Sequence, residues 1–225
     1  MSKAKGHNSI LFLTTLGVFV GLVVILTARV TAGQPGRFQE LEVNKRPLRD
    51  LAVSIKDIIR SKRLDLTAPF NVEIKFVLRE DGTIDPSSTQ FGRFEGPESS
   101  IAIVKDAIYA FSETGYFKYL RELSSREVVV GLKQDDKEFV ASISCALENE
   151  SRAKSLTSWF NILLSTAIAQ KTPGVDQHEL RYLKSLKATT AAKTVNISMS
   201  FPKDLFWNMI RYEIDSVNVN ENSAQ

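Results

Sequence analysis

The sequence predicts an α+β fold: an N-terminal transmembrane helix, then an antiparallel sheet built from three strand–strand–helix units with the helices on one face. Three observations lead there. Ile10 to Ala28 form an uncharged apolar run. Downstream, short segments with alternating apolar and polar residues come in pairs joined by turn sequences. Each pair is followed by apolar residues at helical spacing.

The run ILFLTTLGVFVGLVVILTA is about 19 residues long, which at 1.5 Å per residue spans roughly 28 Å, close to the hydrocarbon thickness of a bilayer. Val30-Thr31-Ala32 before Gly33 also fits a signal-peptide cleavage site, so a cleaved segment is the competing reading. A signal peptide carries only about 7–15 apolar residues, and Arg29 stands between the run and the candidate cut. Both points favour an uncleaved anchor over residues 10–32. Within it Gly17 and Gly21 have the GxxxG spacing that lets a second helix approach closely, although glycine is common enough in spans for chance to produce it. Basic residues flank the run on both sides and do not set its orientation. A short N-terminal tail normally stays in the cytoplasm while a long following domain translocates largely regardless of charge. Residues 1–9 are therefore expected in the cytoplasm, and residues 48–217 are expected as an extracytoplasmic domain.

Roughly 190 residues follow the anchor, enough for one proper core or two small ones, and a subdivision near residues 120–126 stays open. A net charge of +3 with 24% charged residues is too balanced to point to nucleic acid, and no arginine-rich stripe is interleaved with aromatics. The single cysteine, Cys145, excludes an intrachain disulfide and any CxxC metal, redox or haem motif. Stability must come from the core.

Pro35, Gly36 and Pro47 mark residues 33–47 as a short linker. Leu48, Leu51, Ile55, Ile58 and Ile59 then give a helical stripe, with Arg49, Lys56, Arg60, Lys62 and Arg63 mostly elsewhere on the cylinder. This basic amphipathic helix either packs on the domain with a solvated basic face or touches anionic lipid head groups. In the first unit Val72, Ile74, Phe76 and Leu78 alternate with polar residues, Glu80-Asp81-Gly82 supplies a turn, and a second strand is expected over Thr83–Phe91. A helix near Glu98–Ser112 carries Ile101, Val104, Ile108 and Phe111 on one stripe. The second unit has strands near Glu127–Lys133 and Glu138–Leu147 and a helix from about Ser151 to Gln170. The third has strands near Ser185–Thr190 and Lys193–Phe201 and a helix after Pro202, with a helical turn over Asp176–Leu183 before it. Residues 218–225 read as a disordered tail. Hairpins with one apolar face are buried by helices on that face, which leaves Glu73, Lys75, Arg79, Ser142, Ser144, Asn196, Ser198 and Ser200 on the other.

Catalytic patterns are scarce. Ser151-Arg152-Ala153-Lys154 has the SxxK spacing, but the SDN and KTG companions are missing and Ser151 stands where a helix N-cap belongs. His7 and His178 lack partners at metal spacing, and Glu80-Asp81 and Asp135-Asp136 fall in hairpin turns. Asn149-Glu150-Ser151 and Asn196-Ile197-Ser198 match the glycosylation sequon, the second inside a strand. No catalytic, cofactor or metal residue is assigned, and no small-molecule substrate is expected.

The segment Phe70 to Ile84 (FNVEIKFVLREDGTI), with the helix Ile101–Phe111 after it, resembles the C-terminal domain of TonB- and TolA-like proteins. That resemblance implies a bacterial protein held at the inner membrane by a single helix, with a periplasmic domain that carries energy to an outer-membrane partner. The span here holds no histidine or acidic residue, and the linker of about 15 residues reaches at most roughly 50 Å. An intramembrane ionisable group is what proton coupling would need. The leading expectation is therefore a non-catalytic, membrane-anchored accessory subunit of a respiratory, photosynthetic or envelope complex. Its partners would be membrane lipid and integral membrane subunits. An energy transducer is the second expectation and an enzyme of unrecognised type the third.

Overall fold

The computed structural model describes residues 44, 46–61, 65, 68–115, 117–122, 126–169 and 177–208. The expected span with Gly17 and Gly21, residues 33–43 of the linker, Lys62, Arg63 and the expected tail 218–225 lie outside the described residues. Among the described residues no helix is long and apolar enough to cross a membrane.

Six strands, β1 (Phe70–Val77), β2 (Gln90–Glu95), β3 (Glu127–Gln134), β4 (Glu138–Ala146), β5 (Leu186–Ala191) and β6 (Thr194–Pro202), form one sheet in the order β2-β1-β3-β4-β6-β5. Every neighbouring pair is antiparallel. Alternation in the sequence sets the register. Phe91, Ile74, Val130, Ile143, Ile197 and Ala188 lie opposite one another in a row across all six strands, and Phe94, Val72, Leu132, Ala141, Met199 and Leu186 form a second row. Residues directly opposite share a face, so these rows make one continuous apolar surface.

Helices cover that surface from β1 to β5. α1 (Arg46–Arg60), α2 (Glu98–Glu113), α3 (Lys118–Glu122), α4 (Glu150–Ala169), α5 (Gln177–Ser185) and α6 (203–208) follow the strands in the expected strand–strand–helix order, with α1 ahead of them, α5 where a helical turn is expected over Asp176–Leu183, and α3 as an addition. Ile101, Val104, Ile108 and Phe111 of α2, Ala153, Phe160 and Leu164 of α4, Leu183 of α5 and Phe206 of α6 join the strand residues in a single core. Full burial of such side chains stabilises by roughly 1.5–3 kcal/mol each. A one-residue slip of any strand would send its whole row to water, so the register is strongly specified.

Several element ends differ from the sequence expectation, each for a local reason. The Glu80-Asp81-Gly82 turn closes only a single bridge, Leu78 to Ile84, and the second strand starts at Gln90 instead of Thr83. Pro86 opens a 3₁₀ turn (Pro86–Ser88) capped by Asp85, and the Ser88 hydroxyl accepts from the Val77 amide at 2.8 Å where a strand partner would otherwise stand. Gly82 is required in this turn: its φ is +82°, and a Cβ there would lie 2.5 Å from the Lys118 amide nitrogen at the start of α3. The helix expected after Pro47 starts one residue before it, because proline is tolerated in a first turn and the Asn44 side chain accepts from the Arg46 amide at 3.1 Å. The cap of α4 is Asn149, not Ser151: its Oδ1 accepts from the Arg152 amide at 2.8 Å, and Ser151 stands exposed in the first turn.

One buried polar group ties the layers together. Gln134, at the end of β3, keeps 2% of its surface exposed. Its Nε2 donates to the Ala68 carbonyl at 2.8 Å, and its Oε1 accepts from the Trp207 indole N–H of α6. Gln134→Leu keeps the side chain's bulk but leaves both partners without it. Leaving such groups unsatisfied costs about 1–3 kcal/mol each. The variant should therefore lower the urea midpoint at unchanged slope, and an unchanged midpoint would mean that water replaces both bonds at no cost.

Candidate interaction surfaces

The face of the sheet away from the helices is largely polar, with Val77, Val129 and Val140 half-buried among the polar side chains. Glu73, Lys75, Ser142, Ser144, Asn196, Ser198 and Ser200 lie on it as expected from the alternation, half-buried or exposed. Lys75 pairs with Glu127 at 2.8 Å and Lys133 with Asp135 at 3.2 Å. The Ser144 hydroxyl donates to Asn196 Oδ1 at 2.9 Å, and the Ser200 hydroxyl donates to Glu138 Oε2 at 2.7 Å. At its centre Gly131 faces Ser142, so the surface there is shallow and the backbone lies close to solvent. Arg79 departs from the expectation: it lies beyond β1 in the turn, 3.7 Å from Asp85.

Of the basic residues expected at a membrane surface, Arg49 and Lys56 differ in their surroundings. α1 packs on α2 through the buried Leu48. Arg49 is exposed, but Lys56 keeps only 9% of its surface, so its position on a solvated basic face is corrected. Helix geometry explains this, since Lys56 lies eight residues after the buried Leu48, at the margin of the stripe that packs on the domain. Arg60 is the last residue of α1, and Lys62 and Arg63 lie outside the described residues.

The SxxK pattern is not assembled. Lys154 is 67% exposed in its side chain and pairs with Glu150 at 2.6 Å, while Ser151 faces water. Cys145 is buried in β4 among apolar neighbours, where a thiol acts as a small hydrophobe. Among the described residues no three His, Cys, Asp or Glu side chains converge as metal ligands.

The two edges of the sheet are treated differently, which sequence reasoning missed. On the β5 edge Asn161 of α4 donates through Nδ2 to the Ala188 carbonyl at 3.0 Å and accepts from the Ala188 amide at 3.3 Å, occupying two central backbone groups that a further strand would use. On the β2 edge every residue is exposed. There Phe91 and Phe94 keep 45% and 46% of their surface exposed, with ring centroids 5.6 Å apart and Lys105 Nζ of α2 at 4.4 and 4.6 Å from them. The three-residue spacing of the phenylalanines hides them from a period-of-two search. A bulge opposite Glu73 and Ile74 puts both on the apolar face.

No protein-family model, curated protein or solved structure matches this chain. The TonB- and TolA-like resemblance thus stands on the hairpin and helix residues alone.

The turns themselves predict a pH response. Asp135 accepts from the Glu138 and Lys137 amides at 3.0 and 2.9 Å, and these bonds, with Lys133 beside them, lower its pKa from 3.8 to about 2. The Thr83 hydroxyl and amide lower Asp81, and those of Ser87 lower Asp85. A folded pKa below the unfolded one stabilises the fold above the unfolded value, and that contribution is lost as pH falls through the folded value. Stability should decline between about pH 4 and pH 2. Asp135→Asn should flatten part of this decline in acid titrations of the urea midpoint, and an identical acid profile would show that the carboxylate is not coupled to folding.

Proposed function

We propose that this chain is a non-catalytic accessory subunit, anchored by one transmembrane helix over residues 10–32 in a bacterial inner membrane. Its domain lies on the periplasmic side and packs on integral subunits of a larger bioenergetic or envelope complex. The observation that carries the reading is the uncharged run Ile10–Ala28, long enough to span a bilayer. The exposed polar sheet face and the short stretch between run and domain support it, because they hold an interaction surface close to the membrane. A transducer of the TonB or TolA kind is the second reading, favoured by the order β1, turn, β2, α2 with Gly82 in the turn.

Solubilisation in mild detergent followed by size measurement tests the first reading. The chain should migrate with other membrane proteins at fixed stoichiometry. Migration alone, or only with copies of itself, would contradict it, and a cross-link to an outer-membrane protein would favour the second reading. Within the span, Gly17→Ile with Gly21→Ile adds bulk where backbones approach and leaves hydrophobicity sufficient for insertion. Interhelical contacts of this kind contribute on the order of 1 kcal/mol, so assembly should loosen about fivefold with membrane attachment intact. Co-purification at wild-type stoichiometry would place the binding on the external domain instead.

A further inference from the structure

The β2 edge is open, aromatic and self-complementary in sequence. All of Gln90–Glu95 is exposed, whereas on the β5 edge Asn161 holds the amide and carbonyl of Ala188. An edge strand without such cover is a template for another strand.

We propose that β2 pairs antiparallel with β2 of a second copy of this chain, joining two sheets across a two-fold axis between Gly92 and Arg93. The bulge makes this register work. Gly92 and Arg93 together stand opposite Glu73, so Phe91 and Phe94, three residues apart, present the same face and the same backbone orientation. About that axis Phe91 falls opposite Phe94 of the second copy, Phe94 opposite its Phe91, and Gln90 opposite its Glu95. Four rings then meet on the apolar face, each pair of rings held from the α2 side by Lys105. Such aromatic pairs add to the area they bury.

Charge complementarity on the polar face selects the same register. Arg93 of each copy lands opposite Gly92 of the other, where no side chain stands. Glu73 Oε1 lies 2.7 Å from the point a Cβ of Gly92 would occupy, so the incoming guanidinium meets a carboxylate. Within one chain Glu73 and Arg93 face each other across β1 and β2, and among the described residues neither closes an ion pair. Two arginines and two glutamates gather at the axis as a neutral cluster. One strand pair is a small interface of the transient class.

Cross-linking of the full-length purified chain tests the register. Chain carrying Gln90→Cys is mixed with differently tagged chain carrying Glu95→Cys under mild oxidation. Opposed residues of an antiparallel pair lie within disulfide reach, and native Cys145 is buried and does not compete. The mixed dimer should form several-fold above either single-variant dimer, and Lys187→Cys on the occupied β5 edge should give none. Phe94→Asp, at a side chain already half exposed, should reduce the mixed dimer about tenfold. A mixed yield no higher than the single-variant or Lys187→Cys yield overturns the proposal. The readout involves no host subunit, so its failure leaves the accessory-subunit reading untouched, and the converse holds.

Discussion

The structure depends on one constraint, the strict alternation of β4 between two neighbours that must both agree with it. Phe139, Ala141, Ile143 and Cys145 lie opposite Gln134, Leu132, Val130 and Val128 of β3 on one side and opposite Phe201, Met199, Ile197 and Val195 of β6 on the other. Because side chains in a strand alternate faces, these pairings put the buried apolar residues of three strands on the side where α2 and α4 pack, and leave Val129 and Val140 half-buried on the other. The surface ion pairs join side chains that remain well exposed, and such pairs contribute little. Burial along the register outweighs them and decides the fold.

Elements with an unbroken period were legible in the sequence. β6 alternates in sequence, β3 and β4 are apolar runs bounded by polar turns, and α2 repeats its stripe over about three turns, so their ends fall within a residue or two of the expectation. Where a local hydrogen bond competes with the period, the element departs from it. Asp85 and Ser88 satisfy backbone groups that an unbroken hairpin would have used, so β2 starts late. Asn149 and Ser151 are both good caps, and choosing between them depends on which residue first leaves the strand. α3 is a single short turn against Gly82, and nothing periodic announces it.

The candidate surfaces were legible in the same uneven way. The polar sheet face follows from alternation alone and was read nearly complete, apart from Arg79, which the turn carries off the sheet. The basic residues of α1 look alike in the sequence, yet Lys56 is drawn against the domain while Arg49 stays in water, a distinction that only packing makes. Asn161 looks like any polar residue of an amphipathic helix until the Ala188 backbone is seen beside it. Among the described residues the chain thus covers one face of the sheet and contacts the β5 edge at Ala188, and it leaves the other face and the β2 edge exposed.

The central claim, a sheet buried on one face and open on the other by register, can be tested most directly by cysteine labelling along β4 in the native chain. Ser142→Cys and Ser144→Cys should react readily with a hydrophilic thiol reagent, while native Cys145 and Ile143→Cys stay protected until denaturant is added. Equal reactivity along the strand, or protection at positions 142 and 144 in the purified chain with labelling at 143 and 145, would contradict the account.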